Sequence, residues 1–279
     1  MTGKLHVVGT PIGNLGDMTP RALDVLSAVE LIACEDTRQT RSLLRLLGVA
    51  APALIVVNEH TEVEACARIV SVLGGGADVA LVSDAGMPAV SDPGARLVRA
   101  VTDAGIEAVV VPGPSAVIAA LVLSGLVDTR FVFDGFLPRK GSSRKAAIGD
   151  LVGERRTVVL FEAPHRIVRT LTDLSAVLGA DRPAVLCREL TKRYEEVVRG
   201  TLGSLLAHVS EATPKGEMVL VLGGAAPPAD PEAADIEAAV RAALDNGASA
   251  RDAASAVASA LGVGRRDVYE LASRLAQQD

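Results

Sequence analysis

Between residues 78 and 115 the chain reads DVALVSDAGMPAVSDPGARLVRAVTDAGIEAVVVPGPS, and few folds accept that pattern. Val79 to Val82 is a run of β-formers without polar alternation, which suits a strand covered on both faces, as in a parallel sheet between helices. The run stops at Ser83-Asp84-Ala85-Gly86. A second polar turn, Ser91-Asp92-Pro93-Gly94, sets a capping residue before a proline and predicts a helix over 95–104, closed by Gly105. Glu107 to Val111 reads as another buried strand, ending in Pro112-Gly113-Pro114-Ser115. Open α/β sheets bind ligands at the carboxyl ends of their strands, so these loops are where function is sought. Taken singly, each is equally an ordinary βα turn.

The rest of the first third repeats the alternation. Strands are expected at Leu5–Val8, Leu31–Cys34 and Leu54–Val57, with helices from Pro20 (capped by Thr19), over 38–47, and from a cap on Thr61 to the glycines at 74–76. With the two strands above, this makes a five-stranded parallel sheet with right-handed crossovers. The glycines after the first strand, Gly9, Gly13 and Gly16, do not have the G-x-G-x-x-G spacing of a dinucleotide fold, and no phosphate loop with its lysine occurs.

A helix from Ser115 leads into a second α/β region. Strands are expected near 131–134, 157–162, 184–189, 195–199 and 217–222, with helices near 142–152, 165–178 and 201–210. Short links between the last strands require antiparallel pairs, so this second sheet is mixed. A Pro/Ala/Asp linker, 225–234, precedes an alanine-rich helical tail. Asp235 is expected to cap its first helix, and Ser249 with Asp252 resembles a capping box at its second. Gly262-Val263-Gly264 then separates two helices. They read either as a helix-turn-helix presenting Arg265, Arg266 and Arg274 or as a plain three-helix cap.

Composition narrows the class. A chain of 279 residues, 49% apolar but with only four Phe, two Tyr and no Trp, must build its cores from Val, Leu, Ile and Ala. Cys34, Cys66 and Cys187 are too few and too scattered for a disulfide framework or a metal site, and suggest a reducing compartment. The N-terminus has no signal-peptide pattern and no apolar run reaches spanning length, so a soluble cytoplasmic protein with no membrane partner and no metal is expected. The net charge of −6 argues against nucleic acid, but its distribution is uneven. Residues 1–112 carry 8 basic and 13 acidic side chains, 113–226 carry 15 and 12, and 227–279 carry 5 and 9. Only the middle third is basic, with a cluster at Arg139, Lys140, Arg144 and Lys145 that suits phosphate contact or is merely a solvated helix face. Phe131, Phe133 and Phe136 read as core and hinge packing rather than a base-stacking platform.

Several loop strings occur in an order that narrows the reading further: VGTPIGNLGDMTPRAL, CEDTRQTRSLL, NEHTE, LVSDAGMPAVSDPG, VPGPSAVIAAL, GFLPRKGSSR, FEAPHRI, RELTKRYEE and KGEMVLV. Together they closely resemble the small-subunit ribosomal RNA methyltransferases of the tetrapyrrole-methylase class, which use S-adenosylmethionine (SAM). The likeness covers residues 4–224. Cys34 departs from it, since the family more often has Ala there.

The resemblance implies two α/β domains, a mostly parallel sheet in 1–112 and a mixed sheet in 113–226, followed by the linker and helical tail over 227–279. It also implies a SAM cleft between the sheets, a homodimer, and 2′-O-methylation of a decoding-centre cytidine in the 16S rRNA of the small ribosomal subunit. SAM contacts would come from Pro11, from Ser83, Asp84, Ala85, Gly86 and Pro88, and from Pro112, Gly113, Pro114, Ser115 and Ala116. The second domain would add Glu162, Ala163, His165 and Glu217.

A ribose hydroxyl needs a base to take its proton. The candidates are Asp36, Glu59, His60, Asp84, His165 and Lys192. Each has an ordinary alternative: Asp36 as a helix cap, Glu59 and His60 as loop hydrogen-bonders, Asp84 bracing its turn, and His165 or Lys192 facing phosphate. Competing readings are a methylase of the same fold acting on a tetrapyrrole or a protein, and a non-catalytic ribosome-binding factor.

Overall fold

A computed structural model describes residues 2–58, 61–126, 129–212, 214–226 and 232–276. Two compact units are present, Met1–Ala225 and Ala226–Asp279.

The larger unit holds two five-stranded sheets. The first contains β1 (Leu5–Val8), β2 (Leu31–Cys34), β3 (Ala53–Val56), β4 (Val79–Leu81) and β5 (Ala108–Val111), in the order β3-β2-β4-β1-β5. All its pairings are parallel, as the unbroken apolar runs require. Alternate residues face opposite cores. Val79 and Leu81 of β4 meet Ile69, Leu73, Leu97 and Val101 from α3 (Glu62–Gly74) and α4 (Ala95–Asp103). Ala80 and Val82 meet Leu26 and Leu44 from α1 (Pro20–Ala28) and α2 (Thr37–Leu46) on the other side. Truncating a buried leucine such as Leu97, which is fully excluded from solvent, costs about 2–5 kcal/mol. The chain leaves β1 toward β2 but leaves β4 toward β5, so the order reverses between these neighbours, and the loops after them open a crevice at their carboxyl ends.

The second sheet contains β6 (Phe131–Phe136), β7 (Thr157–Glu162), β8 (Pro183–Arg188), β9 (Glu196–Thr201) and β10 (Met218–Leu222), in the order β6-β7-β10-β8-β9. Only β6–β7 is parallel, so the sheet is mixed. Before it comes α5 (Ala116–Ser124), and within it lie α6 (Gly141–Asp150), α7 (Ile167–Leu178) and α8 (Leu202–Glu211). One face, with Leu160, Leu186 and Leu220, packs on α6, α7 and α8. The other, with Val159, Val185, Cys187, Val219 and Val221, packs on Val117, Ala120 and Leu121 of α5 and on Ile12 from the loop after β1. That shared core joins the two sheets.

Three expected caps differ. The α4 helix starts at Ala95, not at a cap on Asp92, because Gly94 takes the N-cap position at φ 124° and its N–H donates to the buried Glu62 carboxylate at 3.2 Å. Thr61 stands at the start of α3 without capping it, its hydroxyl donating instead to Val56 O at 3.1 Å. In the smaller unit, Glu232 takes the N-cap position of α9 (Ala233–Asp245) without a side-chain cap, leaving Asp235 in the first turn. Ser249 does cap α10 (Ala250–Leu261), accepting from the Asp252 N–H at 3.2 Å. With α11 (Arg265–Leu275), these helices enclose Val240, Ala254, Val257, Val268, Ala272 and Leu275. Residues 227–231 of the expected linker lie outside the described residues. No described helix is long and apolar enough to cross a membrane.

Candidate active site at the junction of the two sheets

The loops after β1, β4 and β5 are knitted together by their own backbone. Thr10 and Gly86 exchange both amide hydrogen bonds (2.9 and 3.2 Å), and the Thr10 hydroxyl donates to Ser83 O at 3.2 Å. Gly9 and Gly113 approach so closely that a Cβ on Gly9 would lie 2.7 Å from the Gly113 Cα, which explains the small residue at both places. Gly86 (φ 79°) needs the left-handed conformation, and the same loop holds Ala89 (φ 69°) and Ser91 (φ 63°) there despite their side chains. Such residues cost of order 1–3 kcal/mol each and persist only where their surroundings enforce them. Ser115 caps α5 through the Ile118 N–H at 3.4 Å.

These loops form one side of a cleft of about 690 Å³, a size suited to a cofactor. Ile12, Ala85, Gly86, Met87, Val90, Ser91, Asp92 and the start of α5 line it from the first sheet. Glu162, Ala163, Pro164, Leu190 and Glu217 to Val219 line it from the second. All four phenylalanines of the chain, Phe131, Phe133, Phe136 and Phe161, also line it. Phe133 meets Phe161 edge-on at 4.9 Å between centroids, and Phe136 lies 5.6 Å from Phe161 with 52% of its surface exposed. The core-packing expectation holds for Phe133, which packs against the core shared by the two sheets, and is corrected for Phe131 and Phe136, which are 38% and 52% exposed. A bulge between Phe133 and Gly135, with Gly135 at φ 62°, turns Phe136 toward the cleft, and the spacing of the three in sequence concealed it.

Among the residues assigned to SAM by resemblance, Ala85, Gly86, Ser115, Ala116, Glu162, Ala163 and Glu217 line this cleft. Pro11, Ser83, Asp84, Pro88, Pro112, Gly113 and Pro114 belong to the same loops, outside the lining. His165 instead lines a separate cavity of about 230 Å³ together with Arg139, Arg144, Arg166, Arg169 and Thr170. Glu162 is largely engaged within the protein. It accepts from the Ala163 N–H at 2.9 Å and the Thr170 hydroxyl at 2.5 Å, and pairs with Arg166 at 3.0 Å.

The base candidates separate physically. Asp36 caps α2, accepting from the Arg38 N–H at 2.7 Å, and the Arg38 guanidinium holds it below the usual carboxylate range. The Lys192 ammonium lies 2.9 Å from Glu189 and 3.0 Å from Glu217. Burial pulls it down but these carboxylates outweigh that, so it stays above its ordinary value. A charged ammonium has no lone pair to accept a proton, which corrects the base role for Lys192. Glu59 and His60 lie outside the described residues. Burial pushes Asp84 up, with Asp36 nearby, and burial also pushes up Asp92 and Glu35. Asp92, read from sequence only as a helix cap, is the member of this group that lines the cleft. Of the RNA candidates, Arg139, Lys140 and Lys145 are exposed, but Arg144 is 3% exposed and bonds Asp173, Thr170 and Pro138 O, so a surface phosphate role for it is corrected. Among the described residues no group of three His, Cys, Asp or Glu could hold a metal ion.

Comparison with known proteins adds to this geometry. The family model of the Tetrapyrrole (Corrin/Porphyrin) Methylases matches residues 4–206. The chain belongs to the tetrapyrrole methylase family. It is 44% identical to the Ribosomal RNA small subunit methyltransferase I of Synechocystis sp. over 98% of both chains. Among solved methylases, a uroporphyrin-III-C-methyltransferase from Thermus thermophilus is 25% identical with a TM-score of 0.56, covering 79% of this chain and 94% of its own. Another structure of that enzyme type from the same organism, complexed with S-adenyl homocysteine, shares the fold at 19% identity with a TM-score of 0.57, covering 79% of this chain and 97% of its own.

Proposed function

We propose that this methyltransferase moves the methyl group of SAM to the 2′-oxygen of a decoding-centre cytidine in the 16S rRNA of the small ribosomal subunit, acting in the cytoplasm as a homodimer. The observation that carries the reading is the cleft itself, closed on one side by glycine and proline loops and on the other by phenylalanines, in a chain whose relative at 44% identity is named for small-subunit rRNA methylation.

Apolar walls with aromatic rings, edged by backbone amides and carbonyls, suit a molecule made of a flat base, a sugar and a short charged chain. Ala85, Gly86, Ser115 and Ala116 hold it from the first sheet, and Ala163 with the start of β10 from the second. When bound, SAM supplies a methyl group already activated on a sulfonium, so the protein need not provide a nucleophile. The task left to the chain is alignment, which contributes on the order of 7–11 kcal/mol in the best intramolecular cases. Loops tied together by the Thr10–Gly86 and Gly9–Gly113 contacts have little freedom to misplace it.

The attacking hydroxyl loses its proton as it reacts, and Asp92 is placed to take it. It lies on the cleft wall, and its raised pKa makes it a stronger base than an ordinary carboxylate. Small subunits from a strain lacking the activity, incubated with the protein and methyl-labelled SAM, should take up label while a corrin precursor takes none. Label on the precursor and none on the subunit overturns this choice of substrate.

A further inference from the structure

The smaller cavity lies beside α7, and every ionisable side chain on its wall is basic: Arg139, Arg144, His165, Arg166 and Arg169, with the Thr170 hydroxyl. At about 230 Å³ it has a third of the cleft's volume, too small for a nucleoside beside those side chains but ample for one tetrahedral anion. Its arginines are only partly neutralised. Asp173 pairs with Arg144 at 2.8 Å and with Arg169 at 3.8 Å, and Glu162 pairs with Arg166 at 3.0 Å. Among the described residues, Arg139 and His165 have no hydrogen bond or ion pair at all.

Two features favour an anion there. The guanidinium groups are fixed from behind, Arg144 by Pro138 O (3.1 Å) and the Thr170 hydroxyl (3.1 Å), Arg166 by Leu137 O (2.6 Å). Arg144 and Arg166 are thus a fixed positive wall, and the grip on a phosphate oxygen pair falls to the exposed Arg139 and Arg169. The α7 helix also begins against the usual preference. Its N-cap is Arg166, its first turn contains Arg169 and no acid, and no side chain caps it. Cations at a helix N-terminus oppose the macrodipole, and an anion in the cavity relieves both.

The cavity and the cleft share a wall. Glu162 faces the cleft, Thr170 faces the cavity, and the hydrogen bond between them spans 2.5 Å. We infer that the arginine cavity receives one backbone phosphodiester of the substrate RNA and so fixes the strand beside the methyl-donor cleft. This rests on the RNA-methylating function proposed above.

The test compares three proteins: wild type, R139A/R169A, and R68A/R99A, which removes the same charge from exposed positions on α3 and α4. Each binds a labelled fragment of small-subunit RNA over a series of salt concentrations, with inorganic phosphate at constant ionic strength as competitor, and each is titrated with SAM as a check of folding. Only R139A/R169A should lose RNA affinity, by about tenfold or more, with a salt dependence shallower by roughly one phosphate contact and SAM binding retained. Its KM for small subunits should rise in step. Equal losses in both variants mean a diffuse field and overturn the site. Phosphate binding by wild type with RNA affinity unchanged in R139A/R169A makes it a free-phosphate site and also overturns the inference. A wild type that methylates no subunit refutes the proposed substrate, and the RNA-binding series still decides the cavity.

Discussion

Gly13, on the loop after β1, lies so close to Lys192, in the turn between β8 and β9, that a Cβ on the glycine would overlap the lysine Cγ. The contact fixes the spacing between the halves of the cleft, because Lys192 in turn grips Glu217 on the cleft wall. Gly13→Ala should therefore displace Lys192, lower stability by about 1–3 kcal/mol as overpacking does, and weaken SAM binding. Thermal denaturation and calorimetric titration of the same preparation measure both effects.

Gly86→Val should have a larger effect on the cofactor. Gly86 holds φ 79° and pairs with Thr10, and a Cβ there would lie 3.2 Å from Ile12 Cγ2. A β-branched residue does not adopt that conformation without strain of about 1–3 kcal/mol. Titration should find no SAM binding in a chain that still melts cooperatively.

The phenylalanine wall gives a milder and more selective prediction. Phe136→Ala removes a ring that is half exposed, so its cost in stability is small. The loss of aromatic contact with a bound base should reduce SAM affinity by about 0.5–1.5 kcal/mol, up to roughly tenfold. An unchanged affinity would place the base elsewhere in the cleft.

Asp92 links stability to activity with opposite signs. Its folded pKa lies above its ordinary value because burial disfavours the charge. The protonated form is therefore the one the fold prefers, and stability is lost as pH rises from the unfolded pKa through the folded one. Asp92→Asn removes that charge, so its melting temperature at neutral pH should equal or exceed wild type. Its turnover should fall by about 10²–10⁴-fold, the range of general base catalysis. In wild type, turnover should rise with pH through an apparent pKa above the ordinary carboxylate value.

The thiols predict an absence of chemistry. Cys34, Cys66 and Cys187 are buried, and burial pushes Cys187 up to about 11. In the folded protein at mildly alkaline pH a disulfide reagent should leave Cys187 unmodified, and unfolding should expose all three thiols.

The parallel sheet was legible because β1, β2 and β4 are buried on both faces and their sequences show no polar alternation. The loops after β4 and β5 were legible because glycine and proline cannot be exchanged freely where backbones touch, as at Gly9 and Gly113. What the sequence concealed depends on contacts between distant segments. The N-cap of α4, Gly94, is held by Glu62 on another helix, the aromatic wall depends on a bulge in β6, and Arg144 is held by Asp173, 29 positions away. Lys192, read from sequence as a base candidate or a phosphate contact, is instead paired with Glu189 and with the distant Glu217.

The central step is one methyl transfer to one oxygen. Small subunits labelled with methyl-labelled SAM can be digested to nucleosides and the label located by mass spectrometry. Label should be confined to the ribose of a single cytidine, its 2′-hydroxyl blocked. Label on a base, or spread over many nucleotides, contradicts it.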